Sequence, residues 1–471
     1  MPLTVYDRIG NWNPQLLREL KSRLNSSSFL IAITISIVVQ LLVSIYFRNK
    51  LFLYIGLVDI WLLIVAGTYL IVRDLAIEKN NGTLEFIRFS PQSPQKIIIG
   101  KILGVPIVIY GIVIFTLPFH LWAGIASQIS LSRILIFYGF LVVSCFLFYS
   151  ASILYALVGC WLNGIQPWLF GGIISLWIWL SLIYSNRNYR FQVLFSPTNI
   201  FDLTFSDESL ALPDTIFFYL MGIVVFNYAF WTYWIWQALK RSFPNPRATL
   251  LTKKQSYVLA VCFGVLRFVF TDDVSDNDWG EYIYGVLDSS LAQLSLFLFL
   301  IVALSPHRQA LLDWVRFSQQ RLTRKKGLWN RTLVHDLLWD ERSPALVTIA
   351  INLLITVPCI VPWISSWNEY YFKDFQQVMW VVLPLEAGLI LIFAVIAQLM
   401  LLTATRRPAF LSLCIPGVII FWIVIAYCLM WHYDYIFLFL FLLFCELCVL
   451  ILLVRQLRRQ LQRQLESLTR N

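Results

Sequence analysis

Long apolar runs, nearly free of charge, recur along almost the whole chain and leave few folds open. They fall near 29–47, 52–72, 102–123, 134–160, 168–184, 215–239, 257–270, 286–304, 345–366, 377–403, 409–430 and 435–454. Each is continuously apolar, whereas a barrel strand alternates with period two over about 10 residues, so helices are predicted. A membrane helix needs about 20 such residues. The predicted fold is therefore all-α, a polytopic helical membrane protein of about 12 spans. The run 257–270 is the weak one, fourteen residues that include Arg267. Composition agrees, with 59% hydrophobic and only 13% charged residues, and leaves little chain for a soluble domain.

The formal charge of +10 would suggest a nucleic-acid partner in a soluble protein. Here it resolves by loop. With the N-terminus inside, 29 Lys and Arg fall on inner segments and 6 on outer ones, which by the positive-inside rule puts both termini in the cytoplasm. The expected location is a cell membrane, and nucleic acid is excluded as a partner. The basic loops 240–256 and 305–344 must share one side, so 257–270 and 286–304 either both cross, giving twelve spans, or both do not, giving ten. Cys445 and Cys448 form a C-x-x-C inside the last run with no second pair, which reads as packing, not as metal or redox chemistry. No metal site is expected.

The predicted cytoplasmic segments carry more specific information. Residues 1–28 contain Leu16, Leu17, Leu20 and Leu24 at helical spacing, with Arg18, Lys21 and Arg23 between them, the pattern of an interfacial amphipathic helix. It leads straight into the first run as an elbow. In segment 73–101, Gly82 allows a sharp break and Thr83 is expected to cap the next helix, with Glu85 in its positive first turn. Leu84, Phe86, Ile87 and Phe89 make that helix short and very apolar before Pro91 stops it, and Ser93-Pro94 opens another.

The pattern Glu78-x-x-x-Gly82-Thr83-Leu84-Glu85-x-Ile87-Arg88-x-Ser90-Pro91, between the second and third spans and behind an amphipathic N-terminal helix, resembles the permease subunits of ABC-2 type transporters. The segments Asn13–Leu20 and Ser305–Leu311 are similar to a long form of these permeases found in cyanobacteria. The resemblance implies that Glu78, Gly82, Thr83, Leu84, Glu85, Phe86, Ile87, Arg88, Ser90 and Pro91 form a coupling helix that contacts a separate ATP-binding subunit. It also implies a six-helix core over 29–250 and a second permease core, from a like or unlike chain, as partner. The external segment 185–213 is similar in position to the family's membrane-dipping helices. The remainder, a second membrane half at 251–454 and a basic amphipathic tail at 455–471, has no Gly-Thr-Leu-Glu segment. Residues 342–353 can be laid beside 25–36 as a faint internal repeat.

No Gly-x-x-x-x-Gly-Lys-Ser/Thr loop is present, because Gln95 stands where the first glycine before Gly100-Lys101 is needed. The four histidines, at 120, 307, 335 and 432, form no triad or metal pair. An enzyme with its own catalytic residues or cofactor is not expected; ATP belongs to the partner. The function expected is an ATP-driven permease, most simply an exporter. Intramembrane carboxylates offer an alternative. Asp59 lies within reach of Arg48 or Lys50 near the outer end of span two, and Glu386 and Glu446 sit mid-span. The last two could carry protons in a secondary transporter; a non-transporting membrane scaffold is the third reading. The basic helices of 305–344 and of the tail, with Leu311, Val315, Leu457 and Leu461, are expected to lie on an anionic leaflet.

Overall fold

The computed structural model describes residues 5–47, 50–158, 166–184, 205, 214–270, 279–324, 331–365, 373–402 and 435–469. The predicted span 409–430, and the segment 185–213 apart from Phe205, lie outside them. Every regular element among the described residues is helical. Among the described residues, eight helices are long and apolar enough to cross a membrane, or nine if one bent pair counts as a single span. This is an all-α, multi-pass membrane architecture. Two other predicted spans are helical. That over 253–270 opens on two lysines and includes Arg267, which keeps it out of the eight, and that over 166–184 is uncharged and apolar.

The chain divides into two compact units, Met1–Pro246 and Arg247–Asn471. The expected boundary after residue 250 moves to 246 because Leu250 donates its backbone N–H to the Ala303 carbonyl at 2.9 Å, tying 247–252 to the second unit.

In the first unit, α1 (Val5–Trp12) and α2 (Pro14–Arg23) precede α3 (Ser26–Tyr46) and α4 (Leu51–Asn80). The short α5 (Thr83–Arg88) and α6 (Pro94–Gly104) then lead to α7 (Ile107–Ala126), α8 (Leu131–Val158), α9 (Gln166–Tyr184) and α10 (Asp214–Ser242). The predicted elbow over 1–28 is thus two helices, split at Asn13, which caps α2 by accepting from the Leu16 N–H at 3.0 Å. Pro14 takes the first helical position, where a missing N–H costs nothing. Helix α4 is central: 56% of its most apolar stretch is buried, against 17% for the peripheral α3. Residues Trp61–Ala66 of α4 widen into a π-helical turn. Such a turn leaves a carbonyl short of an intrahelical donor, and the buried Tyr149 hydroxyl of α8 donates to the Leu63 carbonyl there at 2.6 Å. Neighbouring helices are fastened by Gln40 Nε2 on the Phe115 carbonyl (3.1 Å) and by Trp236 Nε1 on Ser150 (3.0 Å).

The second unit comprises α11 (Lys253–Phe270), α12 (Trp279–Leu304), α13 (Arg308–Arg324), α14 (Arg331–Trp339), α15 (Ala345–Ser365), α16 (Lys373–Leu402) and α17 (Tyr435–Thr469). Helices α12 and α13 meet at a 71° bend. The last helix runs on through residue 454 without a break, so the predicted separate tail is an extension of the last span. The two amphipathic segments also depart from expectation. Leu311 and Val315 of α13 are buried, and Leu311 joins Leu457 of α17 and Val395, Leu399 and Leu402 of α16 in one core cluster. They cover each other's apolar faces at that point, where separate contacts with lipid were predicted.

Candidate functional site: segment 73–101 and its charged brace

The segment 73–101 begins at the end of α4. The helix stops because Gly82 turns left-handed, with φ of 72°, a conformation that costs a residue with a Cβ about 1–2 kcal/mol. The Asn81 and Gly82 N–H groups return to the Ile77 and Lys79 carbonyls at 2.9 and 3.1 Å, which satisfies the exposed end of α4. Thr83 does not act as the cap predicted for it. Gly82 occupies the cap position, and the Thr83 hydroxyl instead donates backwards to the Glu78 carbonyl at 3.0 Å. The glycine's positive φ displaces the expected cap by one residue. Ser93 and Pro94 open α6 as expected, the serine oxygen accepting from the Lys96 N–H.

Helix α5 is only six residues long and has two unlike faces. Leu84 and Ile87 are buried, at 2% and 8% exposure. Arg88 also turns inward, its guanidinium 5.9 Å from the centre of the Phe243 ring, just past the end of α10, while holding Glu85 at 2.8 Å. On the other face Phe86 and Phe89 stand 79% and 84% exposed, with Thr83, Glu85 and Pro91 also exposed and Ser90 half-buried. Phe89, outside the motif that carried the resemblance, is the more exposed of the two aromatics.

Glu78 has a different situation from the rest of the motif. Its carboxylate is largely buried and pairs with Arg18 of α2 and with Lys101 Nζ of α6 at 2.8 Å. Lys101 is 1% exposed and also bonds Asp74 Oδ2 at 2.6 Å, with Glu19 Oε1 at 3.5 Å. Arg23 spans Glu19 and Asp74. Three carboxylates on α2 and α4 thus meet three cations on α2 and α6, with no net charge. Carboxylate oxygens of Glu19, Asp74 and Glu78 come within 4.8 Å of one another, a spacing that suits a metal ion. The Lys101 ammonium already sits against all three and supplies the cation. The close approach of α2 to α6 depends on Gly100 and Gly104, where a Cβ would press on Asn13, Gln15 and Leu16, and on Glu19. Asn13 adds a bond from Nδ2 to the Lys96 carbonyl at 2.7 Å.

The electrostatics arise from this packing. Burial raises the Glu19 carboxyl, but Lys101, Arg23 and Arg18 together outweigh it, and its pKa ends below the ordinary 4.5. Burial likewise opposes the Lys101 charge, but Asp74, Glu78 and Glu19 hold its pKa above the ordinary 10.5. Glu19 and Lys101 are therefore both charged at neutral pH. The brace ties the amphipathic α2 to both ends of segment 73–101.

The intramembrane carboxylates all face protein. Asp59 is fully buried in α4 and bonds Thr116 of α7 and Tyr138 of α8 at 3.1 and 3.0 Å. The expected pairing with Lys50 is not made: Lys50 is exposed and Asp59 faces inward. Arg48 lies outside the described residues. In the second unit Glu386 is fully buried in α16. Glu446 of α17 lays its carboxylate against Gly388, where a Cβ would collide with Oε2. Glu446 therefore belongs to the α16–α17 contact.

The sequence motif singles out Glu78 but not its partners Glu19, Asp74 and Lys101. A Lys one residue before an apolar run, opposite an amphipathic helix with an internal Glu, is the only signal that pointed to them. Comparison of the chain with models of protein families, with characterised proteins and with solved structures finds no match.

Proposed function

We propose that this chain is the membrane-spanning permease subunit of an ATP-driven ABC-2 type exporter, worked by a separate ATP-binding subunit that docks on α5. The observation that carries the reading is the two-faced α5: its inner face is buried and its outer face presents Phe86 and Phe89 almost fully to solvent, beside a salt-bridged brace. Large exposed aromatics side by side mark an interaction surface. The charge bias of 29 to 6 supports a cytoplasmic position for this surface, where ATP is available.

Roles within the motif divide by burial. Thr83, Glu85, Phe86, Phe89 and Pro91 would meet the ATPase; Leu84, Ile87 and Arg88 seat the helix; Glu78 passes its displacement to α2 and α6 through Arg18 and Lys101. A push on α5 then tilts α3 and α4 together, opening a path between this core and a second one across the bilayer. Phe86→Ala combined with Phe89→Ala is expected to leave the unfolding temperature unchanged, because both rings are exposed, and to abolish co-purification of the ATP-binding chain and substrate-stimulated ATPase. Undiminished ATP-coupled transport by that double variant would falsify the assignment. Transport that survives ATP depletion but collapses with a protonophore would favour the proton-coupled reading through Glu386 and Glu446.

A further inference from the structure

Three helices of the first unit enclose a chain of hydrogen bonds that coupling through α5 does not use. Asp59 of α4 and Thr116 and His120 of α7 are all 0% exposed. His120 Nε2 lies 3.0 Å from the Phe52 carbonyl, which can only accept, so this nitrogen carries a proton. Its Nδ1 meets the Tyr138 hydroxyl of α8, and that hydroxyl lies 3.0 Å from Asp59 Oδ2. Asp59 Oδ1 closes the chain on Thr116 Oγ1 at 3.1 Å, whose hydroxyl also reaches the Val113 carbonyl at 2.9 Å.

The protons along this chain can be counted. With Asp59 ionised and His120 neutral, Tyr138 has one proton and two neighbours, Oδ2 and a bare Nδ1, that both only accept. One of the two contacts would then set lone pair against lone pair. Aromatic rings close the site around them: Phe52 stacks on His120 at 4.3 Å, and Phe205 packs on Phe52 and Phe137 at 4.7 and 5.5 Å. A buried contact of that kind is unfavourable, because no water is at hand to satisfy the stranded acceptor. One further proton removes the conflict in either of two ways. On His120 Nδ1 it gives a carboxylate and an imidazolium, with Nδ1 and Oδ2 4.0 Å apart. On Asp59 it gives a neutral acid, with Tyr138 donating to a neutral imidazole.

We propose that Asp59, Tyr138 and His120 form a proton-binding site inside the membrane bundle, holding one proton that passes between carboxyl and imidazole through the Tyr138 hydroxyl. The transfer balances within the chain. The Asp59 Oδ2–H bond breaks as a Tyr138 Oη–H bond forms, while the original Oη–H bond breaks as His120 Nδ1–H forms. No charge enters or leaves the site. Among the described residues of the helices packed around it, α3 contributes Ser36 and Gln40, and Arg133 of α8 holds its guanidinium 4.8 Å from the centre of the Phe217 ring. Within ion-pairing distance of Asp59, the described group able to take up positive charge is His120.

The test uses the full chain in lipid bilayers at neutral pH. Infrared spectroscopy reads the carbonyl stretch of a protonated carboxylic acid, assigned by its loss in Asp59→Asn. Nitrogen-15 spectra read an imidazolium, assigned by its loss in His120→Gln. Either signal supports the site; an ionised Asp59 together with a neutral His120 overturns it. Should a variant fail to fold, carbon-13 aspartate and selective histidine labelling of the unaltered chain make the same assignments. Tyr138→Phe keeps the ring and removes the pivot, so exchange between the two forms should cease. Exchange that continues in Tyr138→Phe would overturn the relay.

Discussion

Lys101 and Lys253 are buried alike, at 1% and 2% exposure, yet their surroundings send them in opposite directions. Burial disfavours the charge of both. Around Lys101 three carboxylates more than compensate. Lys253 meets the Leu337 carbonyl at 2.6 Å and the Ser343 hydroxyl, and burial lowers its pKa to about 8 against partial opposition from Asp340 and Glu341. A lysine depressed in the folded state binds fewer protons than the unfolded chain between pH 8 and 10.5, so the second unit should gain stability across that window. Thermal unfolding in detergent at both ends of the window checks this, and Lys253→Met should flatten the difference. The first unit behaves otherwise. The raised Lys101 contributes fully below 10.5 and the lowered Glu19 above 4.5, so its brace should hold level between those values and weaken on either side. Lys101→Met leaves three buried carboxylates facing two arginines, and a loss of about 3–5 kcal/mol is expected, read as a lower unfolding midpoint. Glu78 was legible in the sequence because it belongs to a local motif. Its partners were not, since Lys101 lies 82 residues from Glu19 and 27 from Asp74 and only folding brings them together.

At the scale of the elements, local chemistry foretold most boundaries of segment 73–101. Gly82, Ser93, Pro94 and Pro91 act where their backbone preferences put them, because a cap or a break involves only a few neighbouring residues. Which face of α5 points outward was not legible. Leu84, Phe86, Ile87 and Phe89 are all apolar, and periodicity cannot rank apolar residues against one another. The π-helical turn of α4 was equally hidden, since Trp61–Ala66 reads as ordinary apolar helix. It is held by a residue on another helix. Tyr149→Phe should strand the Leu63 carbonyl and cost about 1–3 kcal/mol, measurable as a lower unfolding temperature with the helical content unchanged.

The whole molecule is two units, and each pins an amphipathic helix with a buried lysine. In the first, α2 precedes the span α3 and is held by Lys101 on α6, which leads into α7, and α7 packs on α3. In the second, α14 precedes the span α15 and is held by Lys253 at the start of α11, which packs on α15 through Ser256 and Asn352 at 3.2 Å. The lysine follows its helix in one unit and precedes it in the other, an order that tandem duplication does not produce, so the likeness of 342–353 to 25–36 does not extend to chain order. The first unit has its own core and its own brace. Residues 1–246 expressed alone should insert and fold, with Lys101→Met as destabilising there as in the full chain; an aggregated fragment would show that the core needs the second half. The sequence by itself determined the multi-pass membrane character and the helical class, because hydropathy is summed over local stretches. Only the tertiary structure decided that Glu78 faces inward, that Phe86 and Phe89 face outward, and that Asp59 meets Tyr138 and not a lysine. Those outcomes depend on which distant side chains arrive opposite one another, and no local sum contains that information.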